Sequence, residues 1–159
     1  MNYSISRYAI KEVVKMEIRS FKNKYSFLSN MYPCKVEFGG VTYNSTEAAF
    51  QAQKSPTKTE MFTKLSGRDA KILGRKMVLP DNWEETKYEK MKRIVKAKFV
   101  QNSDLREKLL ATGDSKLIEG NYWHDNYWGN CNCPKCKNIP GKNCLGEILM
   151  KIRDELKTK

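Results

Sequence analysis

Glu47, Phe50, Gln51 and Lys54 are spaced i, i+3, i+4 and i+7 in the segment Tyr43-Asn44-Ser45-Thr46-Glu47-Ala48-Ala49-Phe50-Gln51-Ala52-Gln53-Lys54. This spacing puts all four along one stripe of a helix turning every 3.6 residues. A carboxylate and an amine then face the same way. At about 1.5 Å per residue they stand roughly 10 Å apart along the axis, farther than the i, i+4 distance at which exposed ions pair, so a ligand fits between them. A carboxylate so placed stabilises developing positive charge or shuttles a proton, and a partly desolvated amine acts as a nucleophile or holds an anion. A plainer arrangement also fits. Asn44 caps the helix, Glu47 reaches back to complete the cap, and Lys54 sits at the negative pole of the helix end. On spacing alone the capped surface helix is the simpler of the two.

Two further constellations lie in or directly after Gly120–Asn143, the one stretch whose composition shifts toward aromatics, asparagine, glycine and cysteine. Asn121-Tyr122-Trp123-His124-Asp125-Asn126-Tyr127-Trp128-Gly129-Asn130 alternates flat rings with amide, imidazole and carboxylate groups. Such a set suits a nucleobase or a sugar, and it equally describes a loop folded over a core with its indoles hydrogen-bonded to backbone. His124 is the only histidine, which leaves little scope for a Ser–His or Cys–His triad. Next, Cys131, Cys133, Cys136 and Cys144 form C-x-C-x2-C-x7-C. Four thiolates in one loop can surround a structural zinc tetrahedrally; free thiols and a redox role are the alternatives. A site filled by four sulfurs would be closed and hence structural. Trp83 either staples a helix to the body or lines a pocket.

The elements that must carry these residues are legible in outline. Cys34–Phe38 and Val41–Tyr43 flank Gly39-Gly40, a dipeptide suited to a two-residue hairpin turn. The spacing predicts a short helix with Asn44 as N-cap, stopped by Ser55-Pro56, and helical stretches near residues 60–65 and 68–77, the last weakened by a glycine. Asp81 as N-cap with Glu84 opens the longest helix, on which Tyr88, Met91, Ile94, Val95 and Phe99 make a buried stripe. Ser103–Ala111 forms another, Lys116–Glu119 reads as a strand, and residues 145–156 form a last amphipathic helix. Residues 18–43 otherwise read as extended. Residues 1–17 read as an N-terminal extension, strand or short helix, beside a domain spanning 18–159.

A chain of 159 residues with 40% hydrophobic content suits one domain with a real core. It carries no apolar run long enough for a bilayer and no secretory pattern at its start, so the expected location is the cytoplasm, where cysteines stay reduced. The formal charge of +12 attracts phosphates, nucleotides or nucleic acid, yet most of the lysines alternate with glutamates on helices, as on any solvated face.

Phe27-Leu28-Ser29-Asn30, the segment 43–54, Asn82-Trp83, Tyr127-Trp128-Gly129, Lys142-Asn143 and Leu145-Gly146 together resemble the NADAR family, also called YbiA-like, from about Ile18 to the C-terminus. The resemblance implies an α+β fold: a single compact, mainly helical domain with a small antiparallel sheet. It implies a hydrolase cleaving the N-glycosidic bond between ribose and a base amine, either in phosphoribosylamino intermediates of riboflavin biosynthesis or in ADP-ribosylated guanine. It also implies Glu47 and Lys54 as catalytic residues, with Phe27, Asn30, Trp83, Asp125, Trp128 and Gly129 around the sugar and base. Breaking a ribosyl C–N bond builds positive charge at the anomeric carbon, which asks for a carboxylate such as Glu47. Lys54 would form a Schiff base with the open-chain sugar or hold a phosphate. No cofactor is implied for catalysis, and the partners are a nucleotide-like small molecule or ADP-ribosylated nucleic acid, without a membrane. The alternative is a module that binds ADP-ribose or nucleic acid without turnover. The chain departs from the family in having Ala48 where histidine is frequent, and in its cysteine-rich insert, found in only some relatives.

Overall fold

The structure, a computed structural model, describes residues 15–159. The expectation for the N-terminal extension falls largely on residues 1–14 and lies outside the described residues. Among the described residues the first element is strand β1 (Glu17–Ile18), which pairs in parallel with β4 (Lys116–Leu117).

Between them runs much of the chain that builds the site. β2 (Pro33–Phe38) and β3 (Val41–Ser45) form an antiparallel hairpin with Phe38 opposite Val41. Gly39 and Gly40 both have positive φ, +60° and +79°, as a tight two-residue hairpin turn demands. β3 runs without a loop into α1 (Thr46–Ala52). The cap is Ser45, whose Oγ accepts the Ala48 N–H at 3.0 Å; Asn44 remains in the strand, accepting from Lys35 Nζ. The second strand runs two residues further than the sequence suggested, to Ser45, and the cap moves from Asn44 to Ser45. α1 is buried on every face, which removes the reading of a capped surface helix.

α2 (Gly67–Gly74) packs on α1, and α3 (Trp83–Gln101) packs on α1 and on β2. The N-cap of α3 is Asn82 rather than Asp81. Met91, Ile94, Val95 and Phe99 are buried, and they meet α4 (Ser103–Ala111) and α5 (Cys144–Lys157), whose Leu145, Ile148, Leu149 and Ile152 are fully buried. This single cluster also takes in Val36 and Tyr43 of the hairpin. β5 (Gly120–Asn121) and β6 (Asn130–Cys131) form a two-residue parallel pair that pins the base of the aromatic loop. Lys116–Glu119 shortens to a two-residue strand, and the stretch near 60–65 is a 3-10 turn at Thr59–Phe62. Among the described residues no helix is long and apolar enough to cross a membrane.

One segment departs from its expected extended form. Asn23–Leu28 is a 3-10 helix, and its end is held by Lys98, a fully buried residue of α3 whose Nζ donates to the carbonyls of Phe27 at 2.6 Å and Ser29 at 3.0 Å. Carbonyls at a helix end lack intrahelical partners, and this amine supplies them. Burial pushes the Lys98 amine down to about 8, opposed by Cys34. Unfolded, Lys98 keeps its proton to about pH 10.4. Between these values the unfolded chain binds more protons, so the cost of burying the charge is complete below pH 8 and fades as the pH rises toward 10.4. Relative to Lys98→Met, the native protein should therefore gain about 2 kcal/mol of stability between pH 7 and pH 9.5. Urea unfolding of both proteins at the two pH values measures this. A constant difference would mean that Lys98 keeps its proton in the native protein across this range.

Candidate active site

The 3-10 segment ends at Ser29-Asn30, and the carbonyl of buried Asn30 accepts the backbone N–H of Glu47 at 2.9 Å. The first turn of α1 is thereby tied to the loop before the hairpin. Beside it opens a cavity of about 710 Å³, within the range of sites for nucleotide-sized molecules. Asn30, Glu47, Lys54, Trp83, Asp125 and Trp128 all line it. The stripe inferred from spacing is real, since Phe50 and Gln51 line the same cavity, although α1 ends at Ala52 and Lys54 stands on the following turn.

Two expected residues lie elsewhere. Phe27 is buried in the core, contributing its carbonyl to Lys98. Gly129 sits behind the wall, where any side chain would strike the carbonyl of Glu119. Both are near the site through the chain and not through the cavity, because the local chain turns their neighbours Asn30 and Trp128 toward it.

The walls are aromatic. Phe50 packs against Trp83 at 5.2 Å between ring centroids and edge-on against Trp128 at 5.5 Å. Trp83, Lys87 and Met91 follow one stripe of α3 into the cavity, so Trp83 lines the pocket as well as fixing the helix start. Asp125 Oδ1 accepts the backbone N–H groups of Tyr127 and Trp128 at 3.1 and 2.9 Å. That turn sets the direction of the Trp128 ring.

Glu47 is held by Gln51, whose Nε2 donates to Oε1 at 2.6 Å. Gln51 in turn lies against Gly74 at the end of α2; a Cβ at that position would fall 1.9 Å from Gln51 Oε1. The glycine that weakens this helix in the sequence is what lets it pack against the Gln51 amide. Burial pushes the Glu47 carboxyl above the usual carboxylate range, Asp125 adds to the rise, and Gln51, Lys71 and Lys54 oppose it. Burial lowers the Lys54 amine, and Lys71 and Arg75 lower it further against the pull of Glu47. The amine also lies 5.9 Å from the Trp83 ring centre.

Sequence reasoning missed Glu119, Lys71 and Arg75, which line the same cavity. Lys71 and Arg75 stand one turn apart at the end of α2; the i, i+4 basic pair was visible but unremarkable on so lysine-rich a chain. Glu119 follows β4, its N–H bonded to Asn143 Oδ1 at 2.9 Å and its carbonyl accepting Asn130 N–H at 2.8 Å. Its Oε2 is buried without a partner. Burial first, then the charges of Asp125 and Glu47, push its carboxyl to about 7. The one signal for it was a carboxylate ending a strand next to the aromatic loop. Glu47, Glu119 and Asp125 thus share a cavity with Lys54 and further basic residues, and burial disfavours the charged forms of Glu47, Glu119 and Lys54.

The cysteine loop also differs from expectation. His124, Cys131, Cys133 and Cys136 bring their ligand atoms within 4.8 Å of one another, a cluster able to hold a metal ion. Cys144 is not among them: it begins α5, its N–H bonded to the Tyr127 carbonyl, and the helix carries its thiol away. Histidine takes the place given to the fourth cysteine.

A family model for the NADAR domain matches residues 18–157. The chain is 35% identical over 142 residues to the N-glycosidase YbiA of Escherichia coli, covering 86% of this chain and 85% of that protein. It is 31% identical to an N-glycosidase of Nostoc punctiforme, covering 84% and 86%. It is 35% identical to a riboflavin biosynthesis protein of Vibrio vulnificus, spanning 83% of this chain but only 36% of that protein's length. The NMR structure of E. coli YbiA is similar at a TM-score of 0.76 and 34% identity, covering 94% of this chain and 90% of that one.

Proposed function

The chain belongs to the NADAR family, and from that premise we propose that it is an N-glycosidase hydrolysing the bond between ribose and the amine of a base. N-glycosidase is the activity that its relatives carry by name. The observation that carries the reading is the meeting of Glu47 and Lys54 in one cavity, between aromatic walls and a cationic rim. A base stacks between Trp83 and Trp128. Lys71 and Arg75 offer two fixed positive charges for phosphate, which leaves Lys54 free for chemistry.

The reaction follows from the protonation states. A carboxyl whose pKa is raised can give a proton to the ribose ring oxygen or the leaving amine and recover it from water. With an exocyclic amine as the leaving group, the sugar opens to an iminium at C1. The Lys54 amine, made less basic by its surroundings, adds to that carbon. The base departs as a free amine carrying a proton, leaving an imine between C1 and Lys54. Water then adds to C1, the C–N bond to Lys54 breaks, and the sugar aldehyde and free lysine return. We assign the proton transfers at the ring oxygen to Glu47 and protonation of the leaving amine to Glu119. Side chains alone carry these steps. A metal held by His124 and the three cysteines would have every position filled by protein and none open to substrate.

The substrate classes are phosphoribosylamino intermediates of riboflavin biosynthesis and ADP-ribosylated guanine. Incubating the protein with each, and resolving products by mass spectrometry, tests the reading. Free base from at least one is expected. Tight binding of either without release would favour the second reading, a non-catalytic ADP-ribose or nucleic-acid module, for which the exposed Tyr122 and Trp123 and the +12 charge argue.

The role of Glu119 predicts a pH profile. Its proton is present below about 7, so kcat should fall as the pH rises through that value, with the apparent pKa belonging to the carboxyl cluster as a whole. Glu119→Gln should lose roughly 100-fold in kcat at pH 6 and lose that descending limb. An unchanged profile in the variant would remove Glu119 from the proton path.

A further inference from the structure

We infer that His124, Cys131, Cys133 and Cys136 bind one zinc ion, and that this ion fixes the wall of the cavity that carries Asp125 and Trp128. The second half of this inference rests on the N-glycosidase reading of the cavity; the first does not.

The donor atoms already stand where a tetrahedral ion needs them. His124 Nδ1 lies 3.2 Å from Cys133 Sγ and 3.4 Å from Cys136 Sγ. For Zn–S near 2.3 Å and Zn–N near 2.0 Å, a tetrahedron sets its N···S edge at about 3.5 Å. Three cysteines are buried together in a cluster separate from the main core. They therefore add nothing to its apolar packing, and none is in a disulfide. The backbone N–H groups of His124 and Cys133 both point at Cys131 Sγ, at 3.3 and 3.5 Å, as donors to a metal-bound thiolate do. His124 itself has φ of +67°, a left-handed conformation that costs a non-glycine residue on the order of 1 kcal/mol. That conformation turns Nδ1 toward the sulfurs, which gives the strain a purpose.

The position of the knot gives the ion its role. His124 and Cys131 close a short loop, and within it stand Asp125 and Trp128, both lining the cavity. Asn126 Oδ1 accepts the N–H of Cys131 at 2.8 Å, tying the ligand's backbone to the residue after Asp125. Apart from the two-residue pair of β5 and β6, residues 118–143 contain no regular strand or helix. A metal cross-link replaces the core that this segment lacks.

Metal analysis of the purified full chain is the first test, with about one equivalent of zinc expected. Less than a few tenths of an equivalent with thiols intact, or iron in its place, would overturn the site. Cys144→Ser should keep its zinc, whereas His124→Ala and Cys133→Ser should lose most of it; loss in Cys144→Ser alone would restore the four-sulfur set. Since Cys133→Ser could also misfold, cobalt is titrated into metal-free wild type. Thiolate-to-cobalt absorption saturating at one equivalent supports the site, and its absence contradicts it. For the role, zinc removal by a chelator should shift tryptophan emission and lower base release at least tenfold, with far-ultraviolet circular dichroism largely retained and both effects reversed by zinc. Stoichiometric zinc whose removal leaves emission and turnover unchanged would overturn the coupling and leave the site. A wild type that binds zinc but releases no base would instead refute the glycosidase reading, while the emission shift would still report on the wall.

Discussion

Glu47→Gln is expected to lower base release by about a thousandfold while leaving the fold intact. The prediction follows from what the substitution keeps. Glutamine has nearly the same shape, and its amide oxygen can still accept the 2.6 Å hydrogen bond from Gln51 Nε2. The backbone N–H at position 47 still reaches the carbonyl of Asn30. What disappears is the proton and the charge. Because burial already disfavours the ionised form of Glu47, a neutral amide removes a desolvation cost, so the melting temperature should hold or rise. Equal rates in the two proteins would show that Glu47 neither moves a proton nor steadies the sugar. A thousandfold loss with a collapsed melting temperature would instead mark Glu47 as structural.

Lys54→Arg should be as inactive as Lys54→Ala, with losses on the order of a thousandfold or more, although only arginine preserves the positive charge. Arginine stays protonated at any pH of interest and has no free electron pair to attack carbon. Were Lys54 only a phosphate ligand, the arginine variant would retain much of its activity. The neighbours favour the nucleophile. Lys71 and Arg75 raise the fraction of neutral Lys54 amine and themselves supply fixed charge for an anion. Borohydride added during turnover should reduce the imine and leave the sugar attached to Lys54, detectable as a mass increase on its peptide. No adduct under conditions of rapid turnover would exclude the imine and leave direct displacement by water.

The sequence was most legible where one periodicity dominates. Ser103–Ala111 begins and ends where its pattern placed it, and of the expected stripe Met91, Ile94, Val95 and Phe99 are buried while Tyr88, nearer the helix start, is only half-buried. The stripe of Glu47 and Lys54 was visible too, but not the burial of α1, because that depends on α2 and α3 closing over it from distant parts of the chain. The same limit hid Glu119. Its raised pKa arises first from burial and then from Asp125 and Glu47, and no local pattern brings these groups together. The cluster of His124 with three cysteines shows why spacing misleads in a loop: Cys144 fits a four-cysteine pattern, yet it begins α5, and helix geometry overrides the motif. The caps erred by one residue, at Asn44 and at Asp81, since which residue caps a helix depends on where the preceding strand or turn ends.

The central claim is that the cavity between Glu47 and Lys54 breaks a ribosyl C–N bond, and a product balance tests it most directly. Wild type and Glu47→Gln are each incubated with a phosphoribosylamino substrate and, separately, with ADP-ribosylated guanine, and free base and free sugar are quantified together. The account predicts equimolar base and sugar from at least one substrate with wild type, and almost none from the same substrate with Glu47→Gln. Both substrates recovered intact after incubation with folded, metal-replete wild type, or equal product from both proteins, would contradict it.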